Sequence, residues 1–352
     1  MDSDDMDVPR SLSRLVRGER LDATQAEAFF DHILHGRADD AQIAAALAMM
    51  QMRGVCEDEL LGGARSLRRH AIKVPTEGIR GIILDTCGTG GAAKTFNVST
   101  IAAFVVAAAA PGSIYVAKHG NKSRSGRGSA ELLQRLGVNV EAGVTAQSRC
   151  LRECGVCFCF AVAHHPAARH AAQARRSLAF PTIFNLLGPL CNPAGATHQV
   201  MGVFDATYVE PMARTLANLG SVKSVVLHGA DGLDELSTTG LCTAAWADRG
   251  SVTLQQIDPL NFGVPRAQLQ ALLAPDLDES VSLAQRLLRG KATAEDRPRH
   301  EMVALSAALA LFVCDAAPSI SEGLDMATAV LARGDAMRVL EQLARLSNES
   351  PR

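Results

Sequence analysis

Residues 81–100 restrict the fold more than any other stretch. A short apolar run, Gly81-Ile82-Ile83-Leu84-Asp85, breaks into the glycine-rich Cys87-Gly88-Thr89-Gly90-Gly91, and a long apolar segment follows from Val98. Short apolar runs closed by turn residues and followed by longer apolar segments predict strand, tight loop and helix in that order. The pattern recurs: 113–118, 156–162 and 224–228 read as further strands, and 130–136 as a helix. Strands alternating with helices give a mostly parallel sheet covered on both faces. Residues 12–70 carry a different period. Phe29, Phe30, Ile33 and Leu34 share one helical stripe, and Ile43, Leu47 and Met50 share another. The expected fold class is therefore α/β, a mostly parallel sheet flanked by helices, joined to a smaller all-helical domain. The Ala/Leu-rich tail 302–346 is expected to be a helical cover for the sheet.

Composition excludes several functions. With 352 residues, 47% of them hydrophobic, the chain can bury a large core as one large domain or two unequal ones. A net charge of -2 gives no global attraction to nucleic acid or to a membrane surface, so neither is expected as a partner. The longest apolar run, 101–111, is too short to span a bilayer. The polar, acidic start and the nine scattered cysteines point to the cytoplasm. Cys150, Cys154, Cys157 and Cys159 do not have zinc-motif spacing, and 157–160 alternates as a strand does, so these are expected to be buried free thiols.

Four segments carry chemistry. In the first, 85–100, the glycines let the backbone approach an anion, and the following helix start offers unpaired N–H groups and a positive dipole end. A glycine-rich loop alone is equally a tight turn, and Ser or Thr at a helix start is ordinarily a cap. Here Asn97, Ser99 and Thr100 cluster at that start, which a single cap does not require. The second segment, 118–131, interleaves Lys118, Lys122, Arg124 and Arg127 with glycines and hydroxyls, as a second anion-binding loop would; the alternative is a solvated basic loop. In the third, 228–235, Asp234 and Glu235 stand just past a strand end. Mg²⁺ takes few carboxylates plus substrate phosphate oxygens, so an acid pair facing two phosphate loops suits that ion. The fourth, 175–193, places Arg175 and Arg176 before an apolar run ending in Gly188-Pro189, where one guanidinium can hold a carboxylate against an aromatic-accepting wall. Two neighbours on a helix point about 100° apart, so only one of the pair is expected to face a cleft.

Together, Gly88-Thr89-Gly90-Gly91, Asn97-Val98-Ser99-Thr100, Lys118-His119-Gly120-Asn121, the run 182–190 and Asp234-Glu235 resemble the anthranilate phosphoribosyltransferase family from about Leu12 to the C-terminal helices. The resemblance implies the nucleoside phosphorylase and phosphoribosyltransferase type of fold: a helical domain of 11–75 with an inserted stretch 166–195, an α/β domain of 76–165 and 196–348, and residues 1–10 without fixed structure. It implies a homodimer and transfer of 5-phosphoribosyl from phosphoribosyl pyrophosphate to the nitrogen of anthranilate or a related aromatic acceptor, with Mg²⁺ as cofactor. Carried over by position, Gly88, Gly90, Gly91, Thr95, Asn97, Ser99, Thr100, Lys118 and Ser125 would bind phosphoribosyl pyrophosphate. Gly88, His119, Asn121, His164 and Arg175 would bind the acceptor, with Arg175 on its carboxylate. Ser99, Asp234 and Glu235 would ligate magnesium.

The sequence also departs from the family wording. Ala92 stands where an acid is usual, both anion loops are a residue short, Pro181 replaces an arginine and His164 a tyrosine. A paralogue with another aromatic acceptor is one alternative. A pyrimidine nucleoside phosphorylase is a second, although phosphorolysis needs no acid pair for metal. A non-enzymatic nucleic-acid-binding relative would need a basic surface, which a pI near 6.6 does not offer. No nucleophilic side chain is expected in the reaction, and the histidines 119, 164 and 165 are expected to pack or hydrogen-bond more than to act as bases.

Overall fold

The computed structural model describes residues 7–90, 95–123 and 125–349. Four helices come first: α1 (Val8–Leu15), α2 (Ala23–Leu34), α3 (Asp40–Arg53) and α4 (Glu57–Arg69). Asp22 and Asp39 begin α2 and α3 with reciprocal caps, each accepting the amide of Gln25 or Gln42 while that glutamine's side chain accepts the cap residue's own amide. The expectation that residues 1–10 lack fixed structure is corrected from Val8 onward. Asp7 caps α1 by accepting the Arg10 amide at 2.9 Å, and Pro9 suits the first turn because it has no amide to leave unpaired.

The sheet follows. It begins with β1 (Ile82–Gly88), α5 (Val98–Ala109), β2 (Ile114–Gly120), α6 (Ser129–Arg135), α7 (Val144–Cys154) and β3 (Val156–Phe160). The strand expected to run to 162 stops at Phe160, and the chain turns into α8 (Ala161–His164), a 3-10 helix (Pro166–Ala171), α9 (Ala172–Leu178) and α10 (Ile183–Leu187). Next come β4 (His198–Gly202), α11 (Val209–Asn218), β5 (Lys223–Gly229), β6 (Cys242–Asp248) and β7 (Ser251–Ile257). The chain ends in α12 (Leu269–Leu272), α13 (Leu277–Leu288), α14 (Arg297–Val313), α15 (Ile320–Arg333) and α16 (Asp335–Asn348). The strand order is β3-β2-β1-β4-β5-β6-β7, parallel through β5 and antiparallel for β6 and β7.

Side-chain alternation assigns the two faces of the sheet. On β5, Val225 and Leu227 pack with Leu305 and Leu309 of α14, whereas Val226 joins a core that includes Met212 and Leu216 of α11 and reaches the helical unit. Parallel strands covered on both faces are apolar throughout, and all five residues of β3 are buried. Ile183, Phe184 and Leu187 of α10 share the core of Phe29 and Phe30, with the Phe30 and Phe184 rings edge to face at 5.7 Å. The strand order reverses between β1 and β4, so the loops leaving their C-terminal ends diverge and open a crevice there.

Buried Glu59 ties α4 to its neighbours. Its carboxylate accepts the amides of Leu21 and Cys56, both at 3.2 Å, and pairs with the guanidinium of Arg53 at the end of α3. Arg53→Ala would leave that carboxylate buried with no opposite charge, which typically costs about 3–5 kcal/mol. Urea unfolding should show a stability loss of that size, and a change under about 1 kcal/mol would mean that the two amides alone satisfy Glu59.

Candidate functional site

The crevice at the C-terminal strand ends is a cleft of about 780 Å³. Gly88, Gly90, Thr95, Asn97, Ser99, Thr100, Lys118, Ser125, His119, Asn121, Arg175, Asp234 and Glu235 all line it. Gly91 lies outside the described residues, as do Ala92, Lys94 and Arg124. His164 is not among the lining residues. It is buried, with Nδ1 2.6 Å from the carbonyl oxygen of Ile72, which places it behind the cleft wall.

The glycine-rich loop is held on several sides. Thr89 donates its amide to the Gly202 carbonyl and accepts the Phe204 amide on Oγ1, both at 3.0 Å, and Thr86 donates to the Ser99 carbonyl. Asn97 precedes α5 with φ +63°, a left-handed conformation that asparagine tolerates better than most residues. Its side chain does not cap α5, as a turn-forming asparagine would, but donates to the Arg127 carbonyl and so links the two anion loops. Arg127 in turn holds the carbonyls of Ala274 and Pro275 at 2.7 and 2.8 Å.

Lys118 is buried at the end of β2. Its ammonium donates to the Thr86 carbonyl and to Ser99 Oγ, the latter at 3.2 Å. Burial pushes its pKa down, and Asp85 on β1 opposes that. Asp85, fully buried, accepts the His119 amide at 3.0 Å on one oxygen. Burial pushes its carboxyl up to about 6, against the pull of Asn192, Lys118 and the His119 amide. His119 lines the cleft as a neutral imidazole. Burial holds its pKa well below the usual value, aided by His165, whose ring lies 5.2 Å away. His165 is itself pushed down, to about 4, mainly by burial.

The acid pair sits where the sheet admits no side chain. A Cβ on Gly202 would fall 1.7 Å from the Asp234 carbonyl oxygen, and one on Gly88 would fall 2.8 Å from Asp234 Oδ2. That oxygen accepts the Gly90 amide at 3.2 Å, so the acid loop and the glycine-rich loop hold each other. Asp231, three residues earlier, accepts the Leu233 amide and the hydroxyls of Ser237 and Thr239, which makes the turn rigid. The donors gathered here, the carboxylates of Asp234 and Glu235 and the Ser99 hydroxyl, are all oxygens on one cleft. That set fits a hard divalent cation with phosphate oxygens and water completing its shell.

Opposite them, Arg175 lies over the Phe184 ring, 5.0 Å from its centroid, beside Gly188 and Pro189. The expectation that only one of the two arginines faces the cleft is corrected. Both Arg175 and Arg176 line it, because the cleft follows the end of the short helix α9 round to Phe180 and Pro181. Sequence reasoning did not single out Phe184, Asn185 or Ser280 as lining residues. The first two fall inside the recognised run 182–190, while Ser280 comes from α13 with no local motif.

Two family models divide the chain. One described as "Glycosyl transferase family, helical bundle domain" matches residues 9–71, and one described as "Glycosyl transferase family, a/b domain" matches residues 80–337. Curated anthranilate phosphoribosyltransferases of Rubrobacter xylanophilus and Phenylobacterium zucineum are 42% and 44% identical, over 96% of this chain and 96% and 97% of theirs. The crystal structure of anthranilate phosphoribosyltransferase from Thermus thermophilus superposes with a TM-score of 0.89 at 36% identity, covering 96% of this chain and 99% of that one. The Saccharomyces cerevisiae enzyme, solved with PRPP and Mg, shares the fold with a TM-score of 0.85 at 24% identity over 97% of each chain.

The buried acid beneath the cleft gives a pH test. Because the folded Asp85 carboxyl titrates near 6 and an unfolded one near 3.8, its favourable share of the stability is complete below about 3.8 and is lost as pH rises through about 6. Asp85→Asn keeps an acceptor for the His119 amide and should flatten that slope in urea unfolding followed from pH 4 to 7. An unchanged slope would assign the pH dependence to other groups.

Proposed function

Because the chain belongs to the anthranilate phosphoribosyltransferase family, we propose that it transfers the 5-phosphoribosyl group of phosphoribosyl pyrophosphate to the amine of anthranilate, releasing pyrophosphate. The observation that carries this reading is one cleft with two unlike walls. Backbone amides, hydroxyls and Lys118 stand with the acid pair at the strand ends, and Arg175 over Phe184 stands at the helical side. The first wall suits a polyphosphate and the second an aromatic ring that bears a carboxylate.

The bond that forms joins the acceptor nitrogen to ribose C1, and the bond that breaks frees pyrophosphate. Lys118, which lines the cleft, opposes the charge that builds on the leaving group, and losing one such preorganised donor typically costs about 3–4 kcal/mol. Asp234, Glu235 and Ser99 would hold Mg²⁺, which supplies charge neutralisation on the phosphate oxygens when bound. His119 stays neutral and lines the cleft, where it packs beside the acceptor without carrying charge. Pro181 and the half-exposed Phe180 at the mouth also keep other carboxylated aromatic amines in view as acceptors. All nine cysteines are free and buried, in keeping with a reducing compartment such as the cytoplasm. Among the described residues no helix is long and apolar enough to cross a membrane.

Two variants, one of them double, test the reading. Asp234→Ala with Glu235→Ala should remove most of the magnesium-stimulated pyrophosphate release while leaving the circular dichroism and melting curve close to wild type. Undiminished turnover at saturating Mg²⁺ would sink the metal assignment. Arg175→Ala should raise KM for anthranilate more than tenfold with little change for phosphoribosyl pyrophosphate, since truncating one partner of a desolvated charge pair costs about 2–5 kcal/mol. Arg176→Ala is the matched comparison, because that side chain also lines the cleft but is held by Gln173.

A further inference from the structure

Outside the cleft, two helices of the helical unit end at the same place. His35 follows α2 and His70 follows α4, each as the residue that closes its helix, and Asp31 lies one turn before His35. One nitrogen of each imidazole and one carboxylate oxygen of Asp31 lie within 4.8 Å of one another. His70 Nε2 is 3.2 Å from Asp31 Oδ1, and the two imidazole rings meet edge to face at 4.7 Å. Three ligands about 2.1 Å from one tetrahedral ion stand roughly 3.4 Å apart. His70 and Asp31 already have that spacing. His35, on the exposed side, offers a nitrogen within 4.8 Å of both, and its Nδ1 lies 2.8 Å from the Asp31 carbonyl oxygen.

We propose that Asp31, His35 and His70 form a site for a divalent transition-metal ion such as Zn²⁺, distinct from the Mg²⁺ region of the cleft and joining the C-terminal ends of α2 and α4. Three physical arguments converge. Two imidazole nitrogens and one carboxylate are the donors of a borderline ion, whereas Mg²⁺ prefers oxygens only. A helix C-terminus carries partial negative charge, and here two of them converge on the same point. The carboxylate is also oriented from behind, as metal-binding carboxylates are. Ser66 donates to it at 2.5 Å, and Arg69 holds its other oxygen at 2.5 Å. Arg69, paired with Asp31, opposes a cation at that position, and it is shared with Glu27.

Occupancy has a consequence for the neighbouring segment. A Cβ on Gly36, the residue after His35, would come 2.9 Å from His170 Nδ1, so this corner packs directly on the 3-10 helix that leads into α9 and Arg175. An ion there would stiffen the support of the acceptor wall without entering the cleft.

The test is calorimetric titration of tag-free protein with Zn²⁺ in buffer containing saturating Mg²⁺, with Co²⁺ absorption as a second readout. The wild type should bind one Zn²⁺ in the micromolar range and give the intense visible bands of tetrahedral Co²⁺ without a thiolate charge-transfer band. His35→Ala and His70→Ala should each weaken binding at least tenfold and lose those bands, while phosphoribosyl transfer measured without Zn²⁺ stays at the wild-type rate. Arg69→Gln should bind Zn²⁺ several-fold more tightly and still give Co²⁺ bands without thiolate charge transfer, which separates it from an unfolded chain whose exposed cysteines would take the metal. Binding weaker than millimolar in the wild type, binding unchanged in the histidine variants, or Arg69→Gln binding no more tightly would each overturn the proposal.

Discussion

An ammonium group buried at the end of the central strands sets the terms for everything above it. Lys118 is removed from water, and burial alone would favour its neutral form. Asp85, one strand away and also buried, supplies the opposing charge and fixes the backbone of the adjacent His119 through its amide. The pair is costly to desolvate, and part of that cost is offset by Thr86 and Ser99 on the ammonium and by the His119 amide on one carboxylate oxygen. A positive charge already dehydrated interacts strongly with an arriving phosphate, because no water shell has to be stripped from it first.

The negative half of the site follows from a different constraint, the absence of side chains. Gly88 ends β1 and Gly202 ends β4, and the Asp234 segment crosses directly above both. Only glycine permits that approach, which brings Oδ2 to the Gly90 amide and places the acids beside the phosphate loop instead of in solvent. Asp231 has a structural role here: its three hydrogen bonds keep the loop from relaxing away.

How far the sequence discloses this depends on where each residue finds its partner. Strands β1, β2, β3 and β5 are legible because apolar runs end at glycine or at a break in the pattern. Strand β4 is hidden, since His198 and Gln199 look like loop residues, yet Gln199 is buried and spends its amide on the Pro189 carbonyl and Cys87 Sγ. Strand β7 is a polar edge with most of its side chains in solvent, Leu254 among them, so its short alternation of Val252 and Leu254 marks no buried face. The chemical motifs were readable because glycines, hydroxyls and charges cluster within each segment. His164 was not, because its role is set by a carbonyl 92 residues away. The spacing of Arg175 and Arg176 misled for a related reason: a helical wheel describes direction from an axis, and a cleft that curves round the end of α9 receives both directions.

The two walls of the cleft differ in what holds them, and this separates their tolerances. The phosphate wall is built from backbone at sheet ends, locked by strand register, so a change there disturbs the sheet itself. The acceptor wall stands on α9 and α10, whose inner faces pack into the helical unit through Phe184 against Phe30. Arg175 rests on the outer face of that same Phe184 ring. The position of the guanidinium therefore depends on packing in the helical core as well as on its own rotamer, and a residue that never touches substrate, Phe30, shares in placing it. Residues 180 and 181 lie at the mouth, Phe180 partly exposed and Pro181 exposed, where they rest on neither core. A chain can thus change them, and with them the acceptors it admits, without disturbing the charge pair and glycine contacts on which the phosphate side depends.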